Sequence, residues 1–188
     1  MSKHFDPLET RSADQRAADL ARDLPLQIAR AQATAGMAEA LAEVRAQDIT
    51  TIADLAGLPV LRKSALVAAQ SSASPFGGYA ALRAAEFEHI FQSPGPIYEP
   101  GRTSPDWWRM GRFLHASGIG RGDIVQNCFS YHLVPAGMMF ENGARAVGAA
   151  VLPAGTGQTE LQVRAARDIG CTAYAGTPDY LKIILDKA

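Results

Sequence analysis

Near its C-terminal end the chain passes twice from an apolar strand through a turn of small residues into a helix, and that order restricts it to α/β architectures. The first passage is Val151-Leu152-Pro153-Ala154-Gly155-Thr156-Gly157-Gln158-Thr159-Glu160; the second takes residues 172–175 through Gly176-Thr177-Pro178 into a helical pattern over 179–185. Strands that alternate with helices pair in parallel, because each crossover returns the chain to the same end of the sheet. Both turns then open on one side, with backbone N–H groups at helix starts, where α/β proteins hold their ligands.

The alternation reads back to residue 87. Strands are predicted over 87–92, 123–129, 147–152 and 171–175, and helices over 105–117, 136–146 and 158–169, with Ser104 as a cap and Asp106 favourable to the dipole of the first helix. Earlier, residues 12–46 carry apolar side chains at helical spacing, among them Leu20, Leu24, Ile28, Met37, Leu41 and Val44. Pro25, with Asp23 before it as a cap, predicts a break into two helices. Short helices follow from Thr50 or Thr51 to Leu55 and over 62–70, and the turn-rich stretch 71–78 closes this part. The fold class is therefore α/β: a helical N-terminal segment, 1–70, followed by a partial, mostly parallel sheet flanked by helices, 71–188.

Composition narrows the function classes. With 188 residues, 47% of them hydrophobic, the chain can bury one core, and a net charge of −1 offers no field for nucleic acid. No segment approaches the roughly 20 apolar residues that span a bilayer, so no membrane partner is expected and a cytoplasmic setting is. Cys128 and Cys171 sit in apolar strand patterns, far apart in sequence, which predicts buried reduced thiols and neither a disulfide framework nor a metal site.

Three ordered stretches resemble one family. Thr51-Ile52-Ala53-Asp54-Leu55-Ala56-Gly57-Leu58-Pro59-Val60-Leu61-Arg62-Lys63-Ser64-Ala65-Leu66, the segment 151–160 and Gly176-Thr177-Pro178-Asp179-Tyr180 are similar to stretches of phenylacetate-CoA ligase-like proteins, in the acyl-adenylate-forming superfamily. The resemblance implies the N-terminal portion of an ATP-dependent ligase that activates an aromatic or other hydrophobic carboxylic acid as its adenylate and passes it to coenzyme A, with ATP, coenzyme A and Mg as cofactors. It also implies that the residues holding the adenylate, and the domain carrying a catalytic lysine, lie beyond this stretch, so a larger enzyme cut short is expected and no catalytic residue is assigned here. The piece alone is expected to be inactive. The alternative is a divergent acyl-binding or assembly module of the same fold without catalysis.

The family's phosphate loop corresponds to residues 93–104, where Ser93, Gly95, Gly101, Arg102, Thr103 and Ser104 can supply donors. This loop departs from the pattern: Pro94, Pro96 and Pro100 have no N–H, and Glu99 repels phosphate, so a rigid turn without phosphate contact is the competing reading. Tyr131, His132, Pro135 and Ala136 match, loosely, the segment lining the acyl pocket, with His132 read as a wall rather than a base. Gly155, Thr156 and Gly157 are assigned to the pocket floor, and Gly176, Thr177 and Pro178 to the adenylate side. Each of these last two turns could also be only a helix cap. A small-molecule carboxylic acid is the expected partner. An open sheet edge further predicts a homo-oligomer or a separate chain that completes the fold.

Overall fold

A computed structural model describes residues 3–188. The chain divides into two units, Thr10–Pro100 and residues 3–9 together with Gly101–Ala188. The compositional change at 71–78 thus falls inside the first unit, and the division comes at Pro100.

In the first unit, α1 (Ala13–Gln32) starts at a capping box: the Ser12 hydroxyl accepts from the Gln15 N–H, and the Gln15 side chain accepts from the Ser12 N–H. Pro25 lies inside this helix and does not break it, contrary to the sequence expectation. Proline removes one intrahelical bond, but the apolar stripe ending on buried Ile28 continues through it, and packing of that stripe outweighs the local loss. Asp23 pairs with Arg22 and caps nothing. Two four-residue helices, α2 (Ala35–Ala38) and α3 (Ile52–Leu55), precede α4 (Lys63–Ser72), and Thr51 with Asp54 builds a second capping box.

Residues 93–101 form no open loop. They enter a two-stranded hairpin of β1 (His89–Ser93) and β2 (Ile97–Gly101), turned at 94–96 through a cis Gly95–Pro96 bond. Ile97 is buried, and Gln70 of α4 pins β2 by accepting from the Tyr98 N–H (2.8 Å) and donating to the Tyr98 carbonyl (2.9 Å). Alternate burial along β2 is what makes this segment a strand.

The second unit is built on three parallel strands in the order β4-β3-β5: β3 (Ile124–Asn127), β4 (Ala150–Leu152) and β5 (Ala173–Ala175). Val125 pairs with Val151 on one side and Ala173 on the other. The helices are α5 (Gly111–Ala116), α6 (Ala136–Ala146), α7 (Thr159–Ile169) and α8 (Pro178–Lys187), with α5 against α6 and α7 against α8. Leu114, Val125, Ala144, Ala149 and Ala175 form the core.

The predicted helix over 105–117 is corrected to α5, which starts later. Asp106 and Arg109 both take left-handed φ (52° and 58°), which an α-helix cannot contain, and the Asp106 carboxylate accepts from the Gly111 N–H at 2.8 Å. Asp106 thus caps the helix from outside, and Ser104 does not cap it.

Asp123 ties the strand starts together. Its carboxylate accepts from the Gly120 N–H and the Thr172 hydroxyl, both at 2.8 Å, and the Thr172 hydroxyl in turn accepts from the Ile124 N–H at 3.0 Å. The Gly120 bond first, then the Thr172 bond, hold the Asp123 carboxyl below the usual carboxylate range. A depressed carboxyl stabilises the fold fully above its ordinary value and loses that contribution as pH falls through the depressed one. The melting temperature of the chain should therefore drop on acidification below about pH 4, and Asp123→Asn should flatten part of that drop. An identical acid profile in the variant would contradict this role.

Candidate functional site at the C-terminal ends of the strands

Because all three strands run the same way, the turns after β3, β4 and β5 meet at one end of the sheet. Side-chain hydrogen bonds lock them there. Asn127, with no exposed surface, donates to the Tyr131 hydroxyl and the Gly137 carbonyl (both 2.8 Å) and accepts from the Phe129 N–H (3.2 Å), while its carbonyl accepts from the Gly155 N–H (2.9 Å). The Cys128 N–H donates to the Ala175 carbonyl at 2.7 Å.

Buried Gln162 of α7 fills the space beneath the β4 turn. Its Nε2 lies 2.7 Å from the Gly157 carbonyl, 3.1 Å from those of Gly155 and the Tyr180 hydroxyl, and 3.3 Å from the Ala154 carbonyl. Its Oε1 accepts from Gln126 Nε2 (3.1 Å) and the Cys128 thiol (3.2 Å), and the Tyr180 hydroxyl also donates to the Gly157 carbonyl (2.9 Å). The turn after β4 is thus joined to the first turn of α8 through two polar side chains.

Beside β5 lies an apolar cleft of about 200 Å³ lined by Phe113, Leu114, Ser117, Ile119, Phe129 and Phe140 with Tyr174, Ala175 and Gly176. Phe129 stacks on Phe140 at 4.3 Å between ring centroids, and Phe113 meets Phe140 edge-on at 6.3 Å. Aromatic walls in offset and edge-on contact present both faces and edges to a further ring. Burial pushes the Cys128 thiol up to about 11 and the Tyr174 hydroxyl up to about 12, so both stay protonated at neutral pH. Cys128 is a buried donor to Gln162 rather than a nucleophile. Cys171 is half-buried, and both cysteines are free thiols.

Of the residues singled out by sequence, Gly176 lines the cleft. Gly155, Thr156 and Gly157 form the turn over Gln162, and Thr177 caps α8, accepting from the Tyr180 N–H with Pro178 in the first turn. Neither Thr156 nor Thr159 caps α7, whose N-cap position is Gln158 at a left-handed φ of 53°. Tyr131 packs back on its own connection: a Cβ on Gly137 would come within 2.7 Å of its ring, and its hydroxyl meets Asn127. Pro135 and Ala136 open α6 behind it, and His132 is solvent-exposed with its N–H donating to the Ser130 hydroxyl. Neither Tyr131 nor His132 lines the cleft. The cleft walls Phe113, Phe129 and Phe140, and the two buried amides Asn127 and Gln162, were not singled out; their apolar or amide character gives no chemical motif, and only the meeting of three parallel strand ends brings them together.

The residues assigned by resemblance to the ATP phosphates are spread over the hairpin and the stretch that follows it. Ser93 is buried in β1 and Gly95 occupies the cis-proline turn, whereas Gly101, the last residue of β2, belongs with Arg102, Thr103 and Ser104 to the other unit. A strand that contains Glu99 stands where the family's glycine-rich cradle is expected.

No protein-family model matches the chain. It is 31% identical over 151 residues to the phenylacetate-coenzyme A ligase of Aromatoleum evansii, covering 77% of this chain and 33% of that protein. It is 31% identical over 147 residues to that of Pseudomonas putida (74% and 32%), and 28% identical over 193 aligned positions to that of Escherichia coli (97% and 43%). The fold is similar to that of 2-hydroxyisobutyryl-CoA ligase in the postadenylation state with 2-HIB-AMP, at a TM-score of 0.84 and 22% identity over 94% of this chain and 39% of that one. The chain spans about a third of the length of the first two of these relatives. Three ordered motifs, a shared α/β fold and these identities place the chain in the phenylacetate-CoA ligase-like family of adenylate-forming ligases.

Proposed function

We propose that this chain supplies acyl-binding residues to an acid:CoA ligase that activates an aromatic or other hydrophobic carboxylic acid through its adenylate and transfers it to coenzyme A. The observation that carries this reading is the cleft beside β5. Its 200 Å³ compares with the roughly 150 Å³ that suffices for benzene in an engineered cavity, and three phenylalanine rings and Tyr174 make its walls. Gly176 lines the cleft where a Cβ would meet the Tyr174 ring, and the Gly155–Gly157 turn on the same end of the sheet, joined to α8 through Tyr180, is where the polar end of such an acid is held. The chain's own residues thus bind and orient the ring and exclude water from it. ATP, Mg and coenzyme A belong to this reading through the family resemblance, and no step is routed through the hairpin. A cytoplasmic setting belongs to the same reading, as does self-association or a second chain at the sheet, since β4 and β5 each have one strand neighbour among the described residues.

Calorimetric titration tests it. The chain should bind phenylacetate, give no heat with acetate, and give none with ATP. Ser117→Phe should abolish phenylacetate binding, because Ser117 is an exposed lining residue whose replacement fills the cleft without stranding a buried group. Undiminished binding in Ser117→Phe, or no binding by the wild-type chain, would remove the cleft from the account.

A further inference from the structure

We propose that Gln162 is a positioning residue that sets the shape of the Gly155–Gly157 turn and couples it to the start of α8, the helix that follows β5; its functional meaning rests on the acyl-site reading of that turn. The amide is 5% exposed and engages polar groups from β3, the turns after β3 and β4, and α8. Its orientation is fixed by chemistry. Backbone carbonyls can only accept, so the NH₂ must face Ala154, Gly155 and Gly157, and the oxygen must face Gln126 and Cys128.

Four acceptors surround two protons, with the shortest contact to Gly157. The turn is therefore drawn down onto Gln162 as a group of carbonyls rather than by one bond. This matters because Gly155, Gly157 and Gln158 all take left-handed φ (64°, 80° and 53°), a conformation that costs Gln158 energy and leaves the glycines free to leave it. No other side chain of this length serves. Methionine has no donor, and an ionised glutamate places an acceptor against three carbonyls.

The test reads amide-exchange protection at Gly155, whose N–H donates to the Asn127 carbonyl, in the full chain, with the β3 amides as internal reference. Gln162→Met should lower protection at Gly155 about tenfold while β3 keeps its own, the effect of one lost hydrogen bond transmitted to the turn. Gln162→Glu should behave like Gln162→Met at about pH 8 and regain protection at about pH 5, because a buried carboxyl titrates upward and its protonated form again donates. A merely space-filling role would not produce that pH dependence. Protection in Gln162→Met within twofold of wild type, or a Gln162→Glu profile that ignores pH, overturns the proposal. Phenylacetate titration of the same proteins separates the two claims: a wild-type chain that fails to bind overturns the acyl-site reading alone, whereas binding by wild type and its loss in Gln162→Met supports both.

Discussion

Asn127→Leu is expected to destabilise the second unit by roughly 2–4 kcal/mol. Asn127 is fully buried at the end of the central strand, and its side chain satisfies a donor, the Phe129 N–H, and two acceptors, the Tyr131 hydroxyl and the Gly137 carbonyl. Leucine matches it in length but leaves these groups facing hydrocarbon, and an unsatisfied buried group costs more than a hydrogen bond gains. The substitution also frees the connection that carries Phe129 into the cleft wall, so ligand affinity should fall with stability. Urea unfolding reads the first effect; a loss below about 1 kcal/mol would show that the network is not structural.

Gly143→Leu should cost about 3 kcal/mol through overpacking. Gly143 lies where α6 crosses α5: a Cβ placed there comes within 2.5 Å of Met110 Cβ, 3.0 Å of Leu114 Cδ1 and 3.3 Å of the Met110 backbone carbonyl carbon. Neither helix can yield without moving Leu114, which is 2% exposed in the core. The roughly 1 kcal/mol by which a better helix former improves on glycine does not offset this. Gly57→Ala is the control, since its added Cβ meets only the Asp54 carbonyl at 3.5 Å and should be close to neutral. Equal effects at the two positions, measured by thermal and urea unfolding, would mean that the helix crossing is looser than the structure has it.

Much of this fold is legible in the sequence, and for identifiable reasons. α6 starts and stops where its apolar spacing does, Ser12 and Thr51 cap where hydroxyls precede an apolar run, and Thr177-Pro178 opens α8 as its residue types require. The errors lie where tertiary packing outvotes a local rule. Pro25 argues for a break that the buried stripe of α1 overrides, and prolines 94, 96 and 100 argue for a loop that burial of Ile97 and the Gln70 clamp turn into a strand. Asp106 marks a helix start in the sequence but acts from a left-handed position outside the helix. The site was half legible for the same reason. Gly176 announces a close approach, which the Tyr174 ring makes, whereas Gly155 and Gly157 have open space at their Cβ positions and serve left-handed φ; and whether a neighbouring aromatic faces the cleft or folds back, as Tyr131 does under Gly137, depends on contacts that spacing does not encode.

A larger apolar cleft of about 420 Å³ in the first unit, whose walls include Leu66, Phe76, Ile97 and Tyr98, competes for a ring with the one beside β5. The most direct measurement is therefore where phenylacetate sits, read from nuclear Overhauser contacts between its ring protons and the chain in solution. The expected contacts are to Phe129, Phe140 and Tyr174. Contacts to Phe76 and Tyr98 instead, or none at saturating ligand, would contradict the assignment of the acyl site to the ends of the parallel strands.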